Sequence, residues 1–317
     1  MDILYYCFRK LCYGVPLILG VTLISFILMV YFGPDKTYEL LGKNPTVKDI
    51  ATVRHELGYD RSFSVRYVEY LEQIATFNFG YSDSTGEKVE SILARSIPVT
   101  LALQIPGFIL GNVLGVLLAL LAAFYRSAWP DKLIMASAVV GMSISILIVI
   151  ISFQIIFCSS YGLGWFPVQG WDIQSIGDYL SYVTVPTLAT VFVALGYNTR
   201  FYRAVIVEET LRDHVRTAKA FGCPPVQLYL KHILKNSMIP IITRVVFTIP
   251  FIVIGGSLLI ESYFGIPGVG LVTFDAITSG DQPLLKAVVA LTAVMYVAIL
   301  TTIDIMYRAV DPRISLS

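Results

Sequence analysis

Apolar residues along this chain gather into six blocks, separated by polar and turn-forming stretches. The blocks cover residues 11–32, 98–125, 133–158, 179–197, 238–260 and 285–307. A helix needs about 20 apolar residues to cross the hydrocarbon core of a bilayer, and each block is near that length or above it. The fourth is the shortest and is interrupted by Pro186. A bundle tolerates such a proline because neighbouring helices can satisfy the carbonyl it frees. No small-residue cleavage site follows the first block, which reads as an anchor that stays. The pattern predicts an all-α integral membrane protein with six transmembrane helices.

Between the first two blocks lies a long mixed stretch, about 33–97. Val47, Ile50, Val53 and Leu57 recur there at helical spacing, and Gly58 provides a stop. Val65, Val68, Leu71 and Ile74 repeat the pattern over 64–77. A small helical cap outside the membrane is expected, not a linker.

Composition sharpens this picture. Hydrophobic residues make up 56% of the 317 and charged residues only 14%, against roughly a quarter in soluble domains. A net charge of +1 gives no reason to expect a nucleic-acid partner. The placement of charge says more than its total. Arg9 and Lys10 precede the first block, and Arg126 and Lys132 bracket the second loop. Seven cations from Arg200 to Lys235 fill the fourth loop, and Arg308 and Arg313 follow the last block. The stretches 159–178 and 262–284 contain no Lys or Arg, only Asp172, Asp178, Asp275 and Asp281. The positive-inside rule then places both termini in the cytoplasm.

Several chemistries find no support. Gly42-Lys43 is followed by Asn44, so no phosphate-binding loop forms, and His55, His214 and His232 lack metal-site spacing. Cys7, Cys12 and Cys223 fall on the expected cytoplasmic side, where thiols stay reduced, and Cys158 stands alone. No catalytic, cofactor-binding or metal-binding set is expected. Polar residues inside the blocks are few: Gln104, Asn112, Gln154, Arg244, Glu261 and Asp304. The last three are read as lying near block ends, where side chains can snorkel to the interface. With no carboxylate at mid-depth, a self-contained proton-driven pump is disfavoured.

The segment from Leu211 to Pro225 stands apart. Leu211, Val215, Ala218 and Gly222 share one helical stripe, and Arg212, Arg216 and Lys219 form another. Gly222 suits a left-handed cap, and Pro224-Pro225 stop the helix while starting the next. A short helix with small residues on one side and cations on another fits insertion into a partner's groove. A connector whose arginines touch lipid headgroups accounts for the same residues.

Here the residues reach a family. Arg216-Thr-Ala-Lys-Ala-Phe-Gly222 resembles the cytoplasmic EAA loop of ABC-importer membrane subunits, in the version found in oligopeptide and dipeptide permeases. Other elements resemble that family in the same order: Glu56-Leu-Gly-Tyr-Asp60, Asn78-Phe-Gly-Tyr-Ser82, Ile97-Pro-Val-Thr-Leu101, Glu261-Ser-Tyr-Phe-Gly-Ile-Pro-Gly-Val-Gly270 and Asp311-Pro-Arg-Ile314. Two departures stand out. Arg216 occupies the glutamate position of the wider motif, as in the peptide branch, and Phe221 replaces a customary Lys.

The resemblance implies a division into residues 1–32, an extracytoplasmic cap 33–97, a permease core 98–307 with a coupling loop 208–237, and a cytoplasmic tail 308–317. It implies that Leu211, Arg216, Thr217, Ala218, Phe221 and Gly222 couple the chain to an ATPase, with grip supplied by the apolar, small-residue stripe. Glu261, Ile266, Pro267, Gly268 and Gly270 are candidates for an outer gate or a binding-protein contact. A tight re-entrant turn explains them equally, with Glu261 its anchor. Implied partners are a second homologous permease subunit, two ATPase subunits, an extracytoplasmic solute-binding protein and membrane lipid. No cofactor of the chain's own is implied, since ATP is bound by the partner subunits. Peptide cargo is expected, with a nickel chelate, glutathione or another small solute as alternatives. A stand-alone secondary transporter or a membrane scaffold would be readings of another class.

Overall fold

The computed structural model describes the backbone of residues 3–33, 37, 41, 46–56, 58–254 and 258–310; the side chains of 3–13, 56, 250–254 and 302–310 lie outside the description. The motifs at Gly42-Lys43 and Asp311–Ile314, and the side chain of Asp304, therefore fall outside the described residues. Regular structure among the described residues is helical, apart from one antiparallel bridge between Tyr81 and Lys88. In chain order the helices are α1 (Ile3–Phe32), α2 (Val47–Glu56), α3 (Phe63–Thr76), α4 (Val89–Phe124), α5 (Trp129–Ser143), α6 (Ile146–Phe157), α7 (Ile176–Glu209) and α8 (Asp213–Ala220). A turn at Pro225–Gln227 and a widened π-helical run, Leu228–Leu234, lead into α9 (Lys235–Ile254). They are followed by α10 (Leu258–Phe264), α11 (Val269–Ser279) and α12 (Gln282–Val310).

Four helical stretches are long and apolar enough to cross a membrane: Gly14–Phe32, Val89–Phe124, Ile176–Glu209 and Gln282–Thr301. Two further candidates are bent pairs, α5 with α6 at 100° and α10 with α11 at 84°. The third apolar block, expected as one helix, is thus broken. Ile144 and Ser145 both take extended backbone there, and Ser145 starts α6. Conversely, the fourth and shortest block lies within a continuous 34-residue helix, α7, with Pro186 buried inside it. The fifth block corresponds to α9 up to Ile254 and crosses residues outside the description before α10 begins.

The chain divides into two compact units, Met1–Ile97 with Val272–Ser317, and Pro98–Leu271. In the first, α1 packs along α12. Gly14 permits close approach, because a Cβ there would lie far inside van der Waals contact of Val297. Helices α2 and α3 form over the stretches where the spacing predicts them. Thr46 and Asp49 cap α2 reciprocally, Thr46 N–H donating to Asp49 Oδ2 at 3.1 Å and Asp49 N–H to Thr46 Oγ1 at 3.3 Å. Gly58 then takes a left-handed φ of 67°. α3 buries Tyr70 and Ile74, and Phe26 of α1 stacks on Tyr70 with 5.6 Å between ring centroids.

Among the described residues the second unit shows two buried apolar clusters. One gathers Leu103, Ile150, Val185, Ile260, Phe264 and Ile266, and the other Ala119, Tyr202, Ile206, Val215, Ile233 and Ile241. The irregular loop after α6 is held to the first by Gly170 N–H, which donates to the Phe264 carbonyl at 2.9 Å. Gln154 in α6 fixes the same loop through the Val168 carbonyl at 2.8 Å.

Candidate functional site

Helix α8 forms where the stripe and caps place it, but shorter by two residues at its start. After α7 the chain turns tightly, Leu211 and Arg212 donating to the carbonyls of Glu208 and Glu209. Arg212 becomes the N-cap. Asp213 in the first turn and Lys219 in the last both complement the helix dipole. Gly222 has a φ of 80°, and the amides of Gly222 and Cys223 close on the carbonyls of Lys219 and Ala218 at 3.0 and 3.2 Å. That is the left-handed stop expected of glycine at this position.

The apolar stripe does something other than expected. Val215 is only 4% exposed and packs into the chain's own core with Ile206, Leu228 and Ile233, and Ala218 is partly buried against the same core. Periodicity gives a stripe but not its partner, and here half of it is covered from within. The surface left open carries Leu211 at 56% and Phe221 at 87% exposure, together with Arg216, Thr217 and Gly222. Arg212 meets the exposed Glu208 at 3.2 Å and the largely buried Glu209 at 3.8 Å, and Arg216 meets the exposed Asp213 at 3.7 Å.

Above α8 in sequence, Arg203 of α7 makes a fork-shaped ion pair with Asp131 of α5, Nε to Oδ1 at 2.5 Å and Nη2 to Oδ2 at 2.6 Å. Ser127 N–H adds a third bond to Asp131 Oδ2 at 2.9 Å. In the sequence Arg203 marks only the topology; the signal for the pair is Asp131, an acidic residue in the first turn of α5.

The turn between α10 and α11 is organised around Glu261, whose side chain is fully buried. Thr100 Oγ1 donates to its Oε1 at 2.7 Å, while Gly270 and Leu271 N–H donate to Oε2 at 2.6 and 3.1 Å. Val269 N–H in turn donates to Thr100 Oγ1 at 2.8 Å. The carboxylate thus satisfies first-turn amides of α11 that have no partner within the helix, and its charge suits that end of the dipole. Gly268 is required by close approach: a Cβ there would lie 2.4 Å from the Glu261 carboxyl and 2.5 Å from Thr100 Oγ1. Ile266, Gly268 and Gly270 are buried, and Pro267 alone of the turn's candidate residues is exposed. Glu261 therefore sits as an anchor of this turn. Thr100, which belongs to a motif quoted above without a role, is the residue sequence reading missed.

A second anchor lies in the other unit. Asp281, immediately before α12, accepts from Ser82 Oγ at 2.5 Å, Ser84 Oγ at 2.8 Å, Ser84 N–H at 3.1 Å and, on its other oxygen, Leu284 N–H at 3.2 Å. Burial pushes its carboxyl up, but these donors outweigh it and hold the group below its ordinary value.

Polar side chains within the helices are mostly paired. Asn112 Oδ1 accepts from Tyr202 Oη at 2.5 Å and from Asn198 Nδ2 at 3.3 Å. Arg244 lies near the start of its apolar block and in the middle of α9, which extends back to Lys235. Its guanidinium sits over the ring of Phe201, 4.4 Å from the centroid, and its buried Nε has no hydrogen-bond partner.

Known proteins give this geometry a family. Residues 111–316 match the family described as the inner membrane component of binding-protein-dependent transport systems, and residues 3–104 match the N-terminal part of such components. The chain is 28% identical over 311 residues to a probable peptide ABC transporter permease, y4tP, of Sinorhizobium fredii, covering 98% of both chains. It is 28% identical over 308 residues to a putative peptide transport system permease of Brucella abortus, covering 96% of this chain and 97% of that one. Over 312 residues it is 30% identical to the glutathione transport system permease GsiC of Salmonella typhimurium, covering 98% and 99%. The chain belongs to the family of inner membrane components of binding-protein-dependent transport systems, and is a membrane subunit of an ABC importer.

Proposed function

We propose that this subunit forms, with a second permease subunit, the route by which peptides delivered by an extracytoplasmic binding protein enter the cytoplasm. Two ATPase subunits bind and hydrolyse ATP beneath the pair, and this chain contributes no ATP chemistry of its own. Helix α8 is the handle: closure of the ATPases on ATP pulls it, and the pathway opens outward. Coupling of this kind requires contacts that differ between two states. The lysine and arginine pattern supports cytoplasmic termini, which places α8 on the ATPase side.

The observation that carries the reading is the exposed face of α8. Leu211, Arg216, Thr217 and Phe221 point away from the chain's own core, on a helix whose inner side is fixed by Val215. An isolated eight-residue helix is unstable in water, so a short, well-capped one that leaves Leu211 and Phe221 uncovered suits a partner's groove. Co-purification of the subunit with two ATPases and a second permease, followed by peptide uptake into vesicles, tests the assembly. Gly222→Glu places a bulky charge where φ is 80° and where no neighbour lies within 4 Å of the added Cβ. The complex is expected to assemble, while hydrolysis stimulated by the loaded binding protein falls about tenfold. Unchanged stimulation overturns the role of α8.

Glutathione is the second reading of the cargo, favoured by the 30% identity to a glutathione permease. Competition of unlabelled glutathione against labelled peptide for the associated binding protein separates the two.

A further inference from the structure

Two membrane-length stretches end beside a cavity that the fold lines with charge. Gly14–Phe32 of α1 and Gln282–Thr301 of α12 are both long and apolar enough to cross a bilayer. They pack together and run antiparallel: Gly14 faces Val297, while Tyr31 and Gly33 line one cavity with Gln282. That cavity, of about 270 Å³, adjoins a second of about 290 Å³, and the two share Tyr59, Arg66 and Gln282. Lys286, one turn into α12, lines the second. All of these residues belong to one compact unit.

Two cations there lack a contacting counter-ion. Arg66 and Lys286 both approach the ring of Phe26, at 5.9 and 5.7 Å from its centroid, and Arg66 also lies 5.1 Å from the centroid of Tyr59. Neither makes an ion pair among the described residues. The carboxylates lining the same cavity are Glu69, which Arg61 engages at 2.5 Å, and the exposed Asp83. A ring face attracts a cation but carries no net charge. Two like charges therefore share one ring with no anion in contact with either.

The surroundings indicate which anion fits. α1 stays apolar and uncovered to its end, Tyr31 and Phe32 being 68% and 80% exposed. Such a face suits acyl chains better than water. Tyr31 stacks on Phe63, and Phe63 on Tyr67; aromatic side chains gathered where a span ends mark the membrane–water boundary. Basic pockets between membrane helices take phospholipid headgroups, and the guanidinium fork matches phosphate oxygens.

We propose that the cavity at Arg66 and Lys286 binds the phosphate of a phospholipid whose acyl chains lie along α1. The site is independent of the cargo and of the ATPase contact.

The test uses the whole importer, stripped of lipid in detergent and titrated with dioleoyl-phosphatidylglycerol, with bound lipid counted by native mass spectrometry. Replacing both cations, Arg66→Gln with Lys286→Gln, is expected to weaken the tightest lipid about thirtyfold, and Lys286→Gln alone about fivefold, at about 1 kcal/mol per cation. Arg66→Lys is expected to retain the lipid, as is Arg61→Gln, whose cation is already engaged by Glu69. Dioleoylglycerol, with the same chains and no phosphate, is expected to bind the unaltered complex far more weakly. Should the double variant fail to assemble, Lys286→Gln alone decides. Lipid affinity unchanged in that variant, or equal binding of dioleoylglycerol, overturns the proposal. Displacement of the lipid by excess inorganic phosphate, leaving its chains unneeded, assigns the cavity to a free anion and overturns it too. So does weaker docking of the binding protein with lipid affinity intact, which assigns the two cations to an acidic side chain of that partner.

Discussion

Helix α8 and the turn around Glu261 are both short elements set beside longer helices, and they are built in opposite ways. At the turn every candidate residue but Pro267 is buried: a fully buried carboxylate holds three donors, and a glycine presses against it. At α8 one valine points inward, and most of the rest is open to solvent. The turn is complete in itself. α8 is held in position but left with Leu211 and Phe221 uncovered, the condition of a surface that awaits a partner. A closed turn and an open helical face thus occur in one chain, and substitutions tell them apart.

The strongest contrast comes from Gly268→Ala. Its methyl group would lie 2.4 Å from the Glu261 carboxyl, a distance at which the carboxylate or the backbone must move. Overpacking together with loss of the amide bonds gives about 3 kcal/mol of destabilisation. The check is the thermal midpoint of the purified subunit in detergent; a midpoint within a degree of the unaltered chain would show that the turn is not closed. Glu261→Gln is the milder form. Its amide oxygen can still accept from Gly270 and Leu271, but the amide nitrogen then faces Thr100, whose hydroxyl loses its acceptor. About 2 kcal/mol is expected, again read from the midpoint.

Much of this was legible in the sequence, for reasons that also explain what was not. Apolar blocks of membrane length specify helices whatever their neighbours do, so most of the expected spans appear. The break at Ser143–Ser145 escaped because serine and isoleucine are compatible with a membrane helix; Ser143 Oγ donates back to the Val139 carbonyl at 2.8 Å, a bond that bends helices, and Ile144 and Ser145 take extended backbone. Gly222 and the two prolines fix the end of α8 through backbone geometry, which is local and readable. The direction of Val215 is not local. A stripe at helical spacing is the same pattern whether the covering surface is the chain or a partner. Nor could Thr100 be paired with Glu261, 161 residues away, until the fold brought them together. Arg244 is near the start of its apolar block yet mid-helix in α9, because the helix begins at Lys235, before the block does.

Within α8 the two sides should separate cleanly. Val215→Ala removes two buried methyl groups, worth about 1.5 kcal/mol at 0.8 kcal/mol each, and should loosen the helix on its support. Faster hydrogen exchange at the amides from Arg216 to Ala220 checks this, with exchange at the Glu261 turn unchanged. Phe221→Ser is the smallest change in stability, within about 0.5 kcal/mol, because an 87% exposed ring contributes little to the chain's own packing. Its effect belongs to the assembly. An aromatic side chain that the fold leaves uncovered is the kind of residue that anchors a docked surface. The variant should therefore keep its thermal midpoint and its exchange pattern while ATP hydrolysis stimulated by the loaded binding protein drops severalfold. If hydrolysis and uptake are both unaltered, Phe221 is merely exposed, and the grip on the ATPase must come from Leu211 and the polar residues Arg216 and Thr217. If the midpoint falls as well, the ring packs against the chain in solution, and the contrast between a closed joint and an open face loses its sharpest member.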